Sequence, residues 1–218
     1  MTKAIIFDMD GVICHTNPFH SIAFKEFFAK RDLFPTEDEF ALHMYGKNNS
    51  YILSHFLGRK IEGAELLELE DEKESLFRDI YKDIVKPIDG FLDFFGKIKE
   101  DGLLTGVATS APRANLDLIV GTLGLKNQME SILASEDVTK HKPEPEVYLQ
   151  SAKNLEEHPE NCIVFEDSFS GVTAAIRAGM KVVGVLSSHA KDELPPCDLY
   201  INNYHEINIK QLYSLVSS

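Results

Sequence analysis

Short apolar segments alternate with amphipathic helical segments along most of this 218-residue chain. Short apolar runs bounded by turn residues indicate buried strands, whereas apolar residues recurring every three to four positions indicate helices. Because strands that alternate with helices form a parallel sheet covered on both faces, the pattern predicts an α/β fold with a three-layer core. The predicted strands cover 4–7, 103–108, 131–134, 162–165, 181–185 and 198–201, and the predicted helices cover 91–100, 112–123, 144–155 and 170–178.

One long segment departs from this alternation. Residues 16–86 contain no convincing strand pattern, many acidic residues and apolar positions at helical spacing, which predicts a small bundle of amphipathic helices. A turn at 87–90 then punctuates the chain. We therefore expect two domains: an α/β core formed by 1–14 and 88–218, and an all-helical domain, 15–87, inserted after the first strand.

Composition argues against several classes of partner. The formal net charge is −13, whereas proteins that bind nucleic acids or anionic membranes present clustered Lys and Arg, so we expect neither partner. We expect no signal peptide before the first strand, and no apolar run approaches the ~20 residues that span a bilayer. Cys14, Cys162 and Cys197 show no metal-type pairing. We expect a cytoplasmic protein whose cysteines are small buried apolar side chains.

Two carboxylates end the first predicted strand. The apolar run 4–7 is followed by Asp8, Met9, Asp10 and Gly11. Acids at positions i and i+2 can share one divalent metal, or they can divide the roles of nucleophile and general acid. The alternative is an acidic turn after an edge strand.

Three later segments bring polar residues to the same predicted edge of the sheet. Parallel strands carry their ligands at their carboxyl ends, so the tips of neighbouring strands can meet. Each segment also has a structural alternative, because Ser, Thr and acidic residues cap helices and a loop lysine is usually exposed. The residues are Thr109 and Ser110 after the second strand, Lys142 before Pro143, and Glu166 and Asp167 before Ser168.

Together these four motifs resemble those of the haloacid dehalogenase superfamily of phosphotransferases and phosphatases, whose core is Rossmann-like. The resemblance implies that Asp8 is the nucleophile that forms an aspartyl-phosphate. Asp10 would donate a proton to the leaving oxygen, then activate water, and would offer its backbone carbonyl to the metal. An acid at position 10 favours phosphoryl chemistry over carbon–halogen cleavage.

The charges of a phosphate monoester and a carboxylate nucleophile must be neutralised before they can react. A Mg²⁺ ion held by oxygen ligands could bridge the two groups, and we expect the ligands Asp8, Asp10, Glu166 and Asp167. Lys142 and the Thr109 hydroxyl could hold the remaining phosphoryl oxygens.

The position of the helical insertion resembles the cap of the subgroup that contains β-phosphoglucomutase and many sugar-phosphate phosphatases. That subgroup implies that His20 contacts Asp10 and the substrate, and that Lys73 is a cap lysine. Lys47, in the loop 46–49, could pair with a second anionic group, and Ser110 and Arg113 could reach the substrate from the core. The alternatives are a half-buried histidine and solvated basic side chains.

Departures from the mutase pattern favour hydrolysis. His15 stands where β-phosphoglucomutase presents an Asp, and Lys47 or Asn49 stands where its cap loop offers an Arg. The sequence thus supports one phosphate site well and a second poorly. We expect a Mg²⁺-dependent phosphatase of a small phosphorylated metabolite, with sugar phosphates favoured, acting as a monomer or weak homo-oligomer. A β-phosphoglucomutase-type phosphotransferase and a non-catalytic phosphometabolite-binding module are the alternatives.

Overall fold

The computed structural model describes residues 3–44 and 48–216, and the chain forms two compact units, residues 1–15 with 85–218 and residues 16–84. In the first unit the strands are β1 (Ala4–Phe7), β2 (Leu104–Ala108), β3 (Ser131–Leu133), β4 (Cys162–Glu166), β5 (Lys181–Val185) and β6 (Leu199–Ile201). Its helices are α5 (Phe91–Glu100), α6 (Arg113–Thr122), α7 (Glu146–Asn154), α8 (Phe169–Arg177) and α9 (Ile209–Val216). The second unit contains α1 (Asn17–Ala29), α2 (Glu37–His43), α3 (Asn49–Phe56) and α4 (Gly63–Tyr81).

The six strands form one parallel sheet in the order β3-β2-β1-β4-β5-β6. The first strand of the chain therefore lies inside the sheet, between β2 and β4. Ala4 pairs with Leu104 on one side and with Cys162 on the other. The carboxyl ends of these three strands consequently lie side by side, which places the residues that follow them at one edge of the sheet.

Helices cover both faces of this sheet. Ala4 and Ile6 of β1 pack in a buried cluster with Val147 of α7 and Val172 of α8. Phe7 faces the other way, because successive strand residues point to opposite faces, and its ring lies 5.3 Å from that of Phe91 on α5. The predicted α/β fold with a three-layer core and a parallel sheet is confirmed.

The helical unit has a core of its own. Buried apolar side chains of α1, α2 and α3 pack together, with Leu66, Leu69 and Leu76 of α4 against them. Arg31, just after α1, donates a hydrogen bond to each carboxylate oxygen of Glu72 on α4, at 3.1 and 2.5 Å. Within residues 16–44 and 48–84 the structure shows helices and turns and no strand. The buried apolar side chains are Phe24, Phe27, Phe28, Phe40, Met44, Ile52, Leu53 and Ile61.

Several element boundaries differ from the prediction for local reasons. α7 begins at Glu146, two residues later than predicted, and Pro145 is its N-cap. The Glu146 carboxylate accepts hydrogen bonds from the backbone N–H groups of Thr139 and Lys140, which fixes the preceding loop outside the helix. The helix α9 was not predicted from the sequence. In the part of the chain that the structure describes, no helix is both long and apolar enough to cross a membrane.

Candidate active site

The site lies at the carboxyl edge of the sheet, where β1, β2 and β4 end. Asp8 follows β1 directly, and its backbone N–H donates to the Phe165 carbonyl of β4 at 3.0 Å. Thr109 follows β2 and donates in the same way to Leu133 of β3. Glu166 is the last residue of β4. The two backbone bonds extend the sheet one residue past β1 and β2, so the polar side chains start from fixed positions.

Lys142 brings the acids of two strands together. Its Nζ atom lies 2.6 Å from Oδ1 of Asp8, 2.8 Å from Oε1 of Glu166 and 3.1 Å from the Ala108 carbonyl oxygen. Only 4% of the lysine side chain is exposed, compared with 9% for Asp8 and 1% for Glu166. The exposed loop lysine considered as an alternative is therefore excluded.

Tyr148 of α7 completes the surroundings of this lysine. Its hydroxyl donates to Oε1 of Glu166 at 2.9 Å, and its ring centroid lies 4.8 Å from the Lys142 ammonium. Sequence reasoning missed Tyr148, because an aromatic residue at a buried helical position is most simply a core residue. A signal was present in its hydroxyl, which needs a partner when it is buried.

The Glu166 carboxylate is held on both oxygens. Its Oε1 atom accepts from Lys142 and Tyr148. Its Oε2 atom accepts from the backbone N–H groups of Asp167 and Ser168 and from the Ser168 hydroxyl, at 2.9 to 3.0 Å. Ser168 is also the N-cap of α8, since its hydroxyl accepts from the Gly171 N–H at 3.0 Å. The capping alternative thus describes Ser168 correctly, while Glu166 positions the lysine; its role as a metal ligand stays a prediction.

The pKa values follow from this shared burial. Burial alone would lower the pKa of Lys142, but the Asp8 and Glu166 carboxylates outweigh it and hold that pKa well above its usual value. Burial opposes ionisation of Glu166, yet Lys142 and the hydrogen bonds lower its pKa. The pKa of Tyr148 is raised by burial and by Glu166. At neutral pH the lysine is an ammonium and the tyrosine is a hydroxyl donor.

Asp8 and Asp167 are the two acids of the site whose pKa values are raised. Burial raises the pKa of Asp8 to about 7, with Glu166 and Asp10 adding to the increase and Lys142 opposing it. Burial, Glu166 and Asp8 raise the pKa of Asp167 well above its usual value. Three buried carboxylates thus share this edge of the sheet with the buried Lys142 ammonium, which contacts two of them.

This donor set fits a hard divalent cation. Carboxylate and carbonyl oxygens are the ligands that Mg²⁺ and related cations prefer. A cation would offset the burial and the mutual repulsion that raise the pKa values of Asp8 and Asp167. Within residues 3–44 and 48–216, no three His, Cys, Asp or Glu side chains are already grouped as a metal cage. The Lys142 ammonium lies between Asp8 and Glu166. Asp10, predicted to offer its backbone carbonyl to the metal, is half-buried and lies two residues after Asp8.

Thr109 and Ser110 do not cap the next helix. The N-cap of α6 is Pro112, which has no side-chain capping bond, and the Arg113 N–H donates instead to the Glu136 carboxylate. The buried Thr109 hydroxyl accepts from the Ala111 N–H at 3.1 Å. Ser110 is exposed at this edge. The capping alternative is wrong for both residues.

Arg113 is engaged at the β3 side of the sheet. Its guanidinium pairs with Asp137 and donates to the Ile132 carbonyl at 3.3 and 3.4 Å. These contacts tie α6 to the loop after β3. The predicted contact of Arg113 with substrate stays a prediction.

The predicted cap residues His20 and Lys73 lie in the helical unit and contact one another. Lys73 Nζ is 2.9 Å from His20 Nδ1 and 2.7 Å from Oε1 of Glu74, and it lies over the Phe24 ring. The His20 ring stacks on Phe77 at 3.8 Å. Lys47 falls outside the described residues, so its predicted role is not addressed.

Sequence reasoning also assigned no role to residues 187–197, yet three of them contact the site. Ser187 donates to the Gly11 carbonyl, Ser188 hydrogen-bonds the Asp167 side chain, and Nδ1 of His189 lies 2.9 Å from the Asp167 carbonyl oxygen. No local pattern marks these residues as functional.

Comparison with known proteins places this site in a family. Over residues 5–185 the chain matches the haloacid dehalogenase-like hydrolases. It is 29% identical to the fructose-1-phosphate phosphatase YqaB of Escherichia coli, over 83% of this chain and 95% of that protein. It is 27% identical, over 98% of its length, to the chloroplastic 5-amino-6-(5-phospho-D-ribitylamino)uracil phosphatase of Arabidopsis thaliana, but it spans only 57% of that protein.

A solved structure agrees with this assignment along the whole chain. The crystal structure of a HAD hydrolase, family IA, variant 3, from Entamoeba histolytica superposes with a TM-score of 0.93 at 28% identity, covering 100% of both chains. The shared fold, the match over residues 5–185 and the named relatives lead to one assignment. This chain belongs to the haloacid dehalogenase-like hydrolase family.

Proposed function

We propose that this protein is a Mg²⁺-dependent phosphatase that hydrolyses a small phosphorylated metabolite, with sugar and polyol phosphates as the favoured class. The observation that carries the proposal is the buried contact of Lys142 with Asp8 and Glu166 at the edge of the sheet. Two relatives are named as phosphatases, one of fructose 1-phosphate and one of a phosphoribityl compound.

Asp8 is suited to act as the nucleophile. Asp8 directly follows β1, so its backbone position is fixed. Its carboxylate is almost fully buried and is oriented by the Lys142 ammonium. In the first step, an Asp8 oxygen forms a bond to phosphorus while the bond from phosphorus to the leaving oxygen breaks. Asp10 donates its proton to that leaving oxygen, and the metabolite departs as a free hydroxyl compound.

The second step returns the enzyme to its starting state. Asp10, now a carboxylate, takes a proton from a water molecule whose oxygen attacks phosphorus. The bond between phosphorus and Asp8 breaks, and inorganic phosphate leaves. Lys142 neutralises negative charge on the transferring group throughout, because its pKa keeps it an ammonium. A Mg²⁺ ion held by Asp8, Asp167 and the Asp10 carbonyl would supply further charge neutralisation at the phosphoryl oxygens.

The test is phosphate release by purified protein over a panel of substrates. The panel contains sugar phosphates, nucleotides, phosphoglycolate and pyrophosphate, each with Mg²⁺ and with a chelator, and β-glucose 1-phosphate conversion is followed in parallel. We expect Mg²⁺-dependent release from a few sugar or polyol phosphates. Isomerisation without net release would replace the proposal by a phosphomutase, and tight ligand binding without turnover would replace it by a binding module.

A matched pair of variants tests the nucleophile. Asp8→Asn is expected to lower kcat by about 10³-fold or more, because an amide cannot form the phosphoenzyme. Asp93→Asn, the same change at an exposed position on α5, should retain the wild-type rate. Full activity of Asp8→Asn would refute the proposed mechanism.

A further inference from the structure

The segment after β5 reaches across to the acid that follows β4. We call residues 187–189 the 187–189 loop. Ser187 donates its hydroxyl to the Gly11 carbonyl, and Ser188 hydrogen-bonds the Asp167 carboxylate. His189 Nδ1 lies 2.9 Å from the Asp167 carbonyl oxygen. Since a carbonyl oxygen only accepts hydrogen bonds, this nitrogen carries the hydrogen.

The sheet fixes this loop beside Asp167. β4 and β5 are parallel neighbours with Glu166 opposite Gly184, so the residues after both strands emerge together. The Leu186 N–H continues the ladder to the Ile201 carbonyl of β6 at 2.8 Å. On the other side, Gly11 has a φ of +74°, and a Cβ atom there would collide with the Asp167 carboxylate and approach Ser188 Oγ to 2.8 Å. The Asp167 carboxylate is thus enclosed between Gly11 and the 187–189 loop.

The three buried acids of this edge have different hydrogen-bond donors. Lys142 gives Asp8 and Glu166 a full positive charge. The contacts from the 187–189 loop to Asp167 come from the hydroxyls of Ser187, 3.5 Å from Oδ2, and Ser188, and from the His189 N–H on the Asp167 carbonyl oxygen. A hydroxyl orients a carboxylate without adding a positive charge beside it. The Asp167 carboxylate is therefore fixed in direction and can be presented to another cation.

We propose that the 187–189 loop is a clamp that orients Asp167 towards a divalent cation, with Ser188 and His189 as positioning residues. The clamp rests on the proposed function, since it presumes the cation of that reaction. Outer-shell hydrogen bonds of this kind orient metal ligands, and their removal typically weakens metal binding by about 10–100-fold.

The experiment measures cation binding directly and needs no substrate. Chelator-treated protein is titrated with Mg²⁺ and, separately, with Mn²⁺ by calorimetry, and the melting temperature is recorded with and without cation. The variants are Ser188→Ala, Ser188→Thr, which keeps the hydroxyl, and His189→Ala. The control is Ser214→Ala, which removes a serine hydroxyl bonded to the Gln211 carbonyl on α9.

We expect Ser188→Ala and His189→Ala each to raise the Kd for the cation about 10-fold. The cation-free melting temperature should stay close to that of wild type, because Ser188 is exposed and His189 only half-buried. Ser188→Thr and Ser214→Ala should bind the cation as wild type does. An unchanged Kd in Ser188→Ala and His189→Ala, or absence of cation binding by the wild type, would overturn the clamp.

The clamp and the proposed function fail in different ways. If the wild type binds the cation and the variants bind it more weakly, the clamp holds even when no phosphate is released from any substrate. If phosphate release is Mg²⁺-dependent but the variants bind Mg²⁺ normally, the phosphatase stands and the clamp is refuted.

Discussion

Replacing Gly171 by alanine tests how rigidly the Glu166 carboxylate is held. Gly171 lies in the first turn of α8. A Cβ atom there would meet Oε1, Cδ and Oε2 of Glu166, the nearest at less than half of the usual ~3.5 Å separation. Among the described residues five hydrogen bonds hold that carboxylate, so it can move aside only by losing some of them.

The expected cost follows from these contacts. Inserting one methyl group into a packed site costs about 1–3 kcal/mol. Loss of a hydrogen bond to a charged group costs about 1.5–3 kcal/mol more. We therefore expect Gly171→Ala to lower the free energy of unfolding by about 2.5–6 kcal/mol, the sum of the two costs. It should also reduce catalysis in the protein that still folds, because Lys142 would lose its anchor at Glu166.

The control is the same substitution at an open helical position. A Cβ atom on Gly96, inside α5, would meet no heavy atom within 4 Å. Gly96→Ala should stabilise the protein by about 0.5–1 kcal/mol, the usual gain in a helix interior. Urea unfolding followed by circular dichroism compares both variants with wild type. Equal stability of Gly171→Ala and Gly96→Ala would refute the rigid carboxylate.

Three further substitutions test the buried charges. Lys142→Met leaves two buried carboxylates without their counterion and should lower the free energy of unfolding by about 3–5 kcal/mol at neutral pH, measured in urea; a change below 1 kcal/mol would contradict the buried pairing. Tyr148→Phe removes one hydrogen-bond donor to Glu166 and should lower the free energy of unfolding by about 1.5 kcal/mol and also lower kcat. Wild-type stability together with wild-type kcat would show that the hydroxyl is dispensable. Glu72→Gln should lower the free energy of unfolding by about 0.5–1 kcal/mol at neutral pH. The hydrogen bonds from Arg31 lower the pKa of Glu72 in the folded state. Their stabilisation is therefore present above the pKa of Glu72 in the unfolded state and is lost as the pH falls through its pKa in the folded state. Unfolding curves at neutral and acidic pH check that sign, and a cost that persists in acid would refute it.

Sequence alone predicted the parts of the molecule that depend on local pattern. The strands of the core are short apolar runs, and Asp8, Thr109 and Glu166 could be placed because each lies at the end of such a run. Parallel neighbours then bring these ends together without further information. Each of the four motifs is a short continuous stretch of sequence. Their resemblance to those of the haloacid dehalogenase superfamily could therefore be recognised without the structure.

Contacts between distant segments could not be predicted in this way. Ser188 and His189 reach Asp167 only because β5 lies next to β4 in a particular register. The Tyr148 hydroxyl on α7 likewise reaches Glu166, which ends β4 in a separate segment of the chain. A single sequence carries no signal for such pairings, because they arise from tertiary packing rather than from spacing along the chain.

The interior position of β1 also determines the order in which the protein can be built. Its two partners, β2 and β4, lie far along the chain, so closing them around β1 requires long loops, which is slow compared with local folding. Residues 16–84 are continuous in sequence and have their own apolar core. During synthesis the segment that carries Asp8 emerges before both partner strands, and β1 acquires both neighbours only after residues 162–166 have been made. The surroundings of Asp8 therefore form only after residues more than 150 positions further along the chain are present.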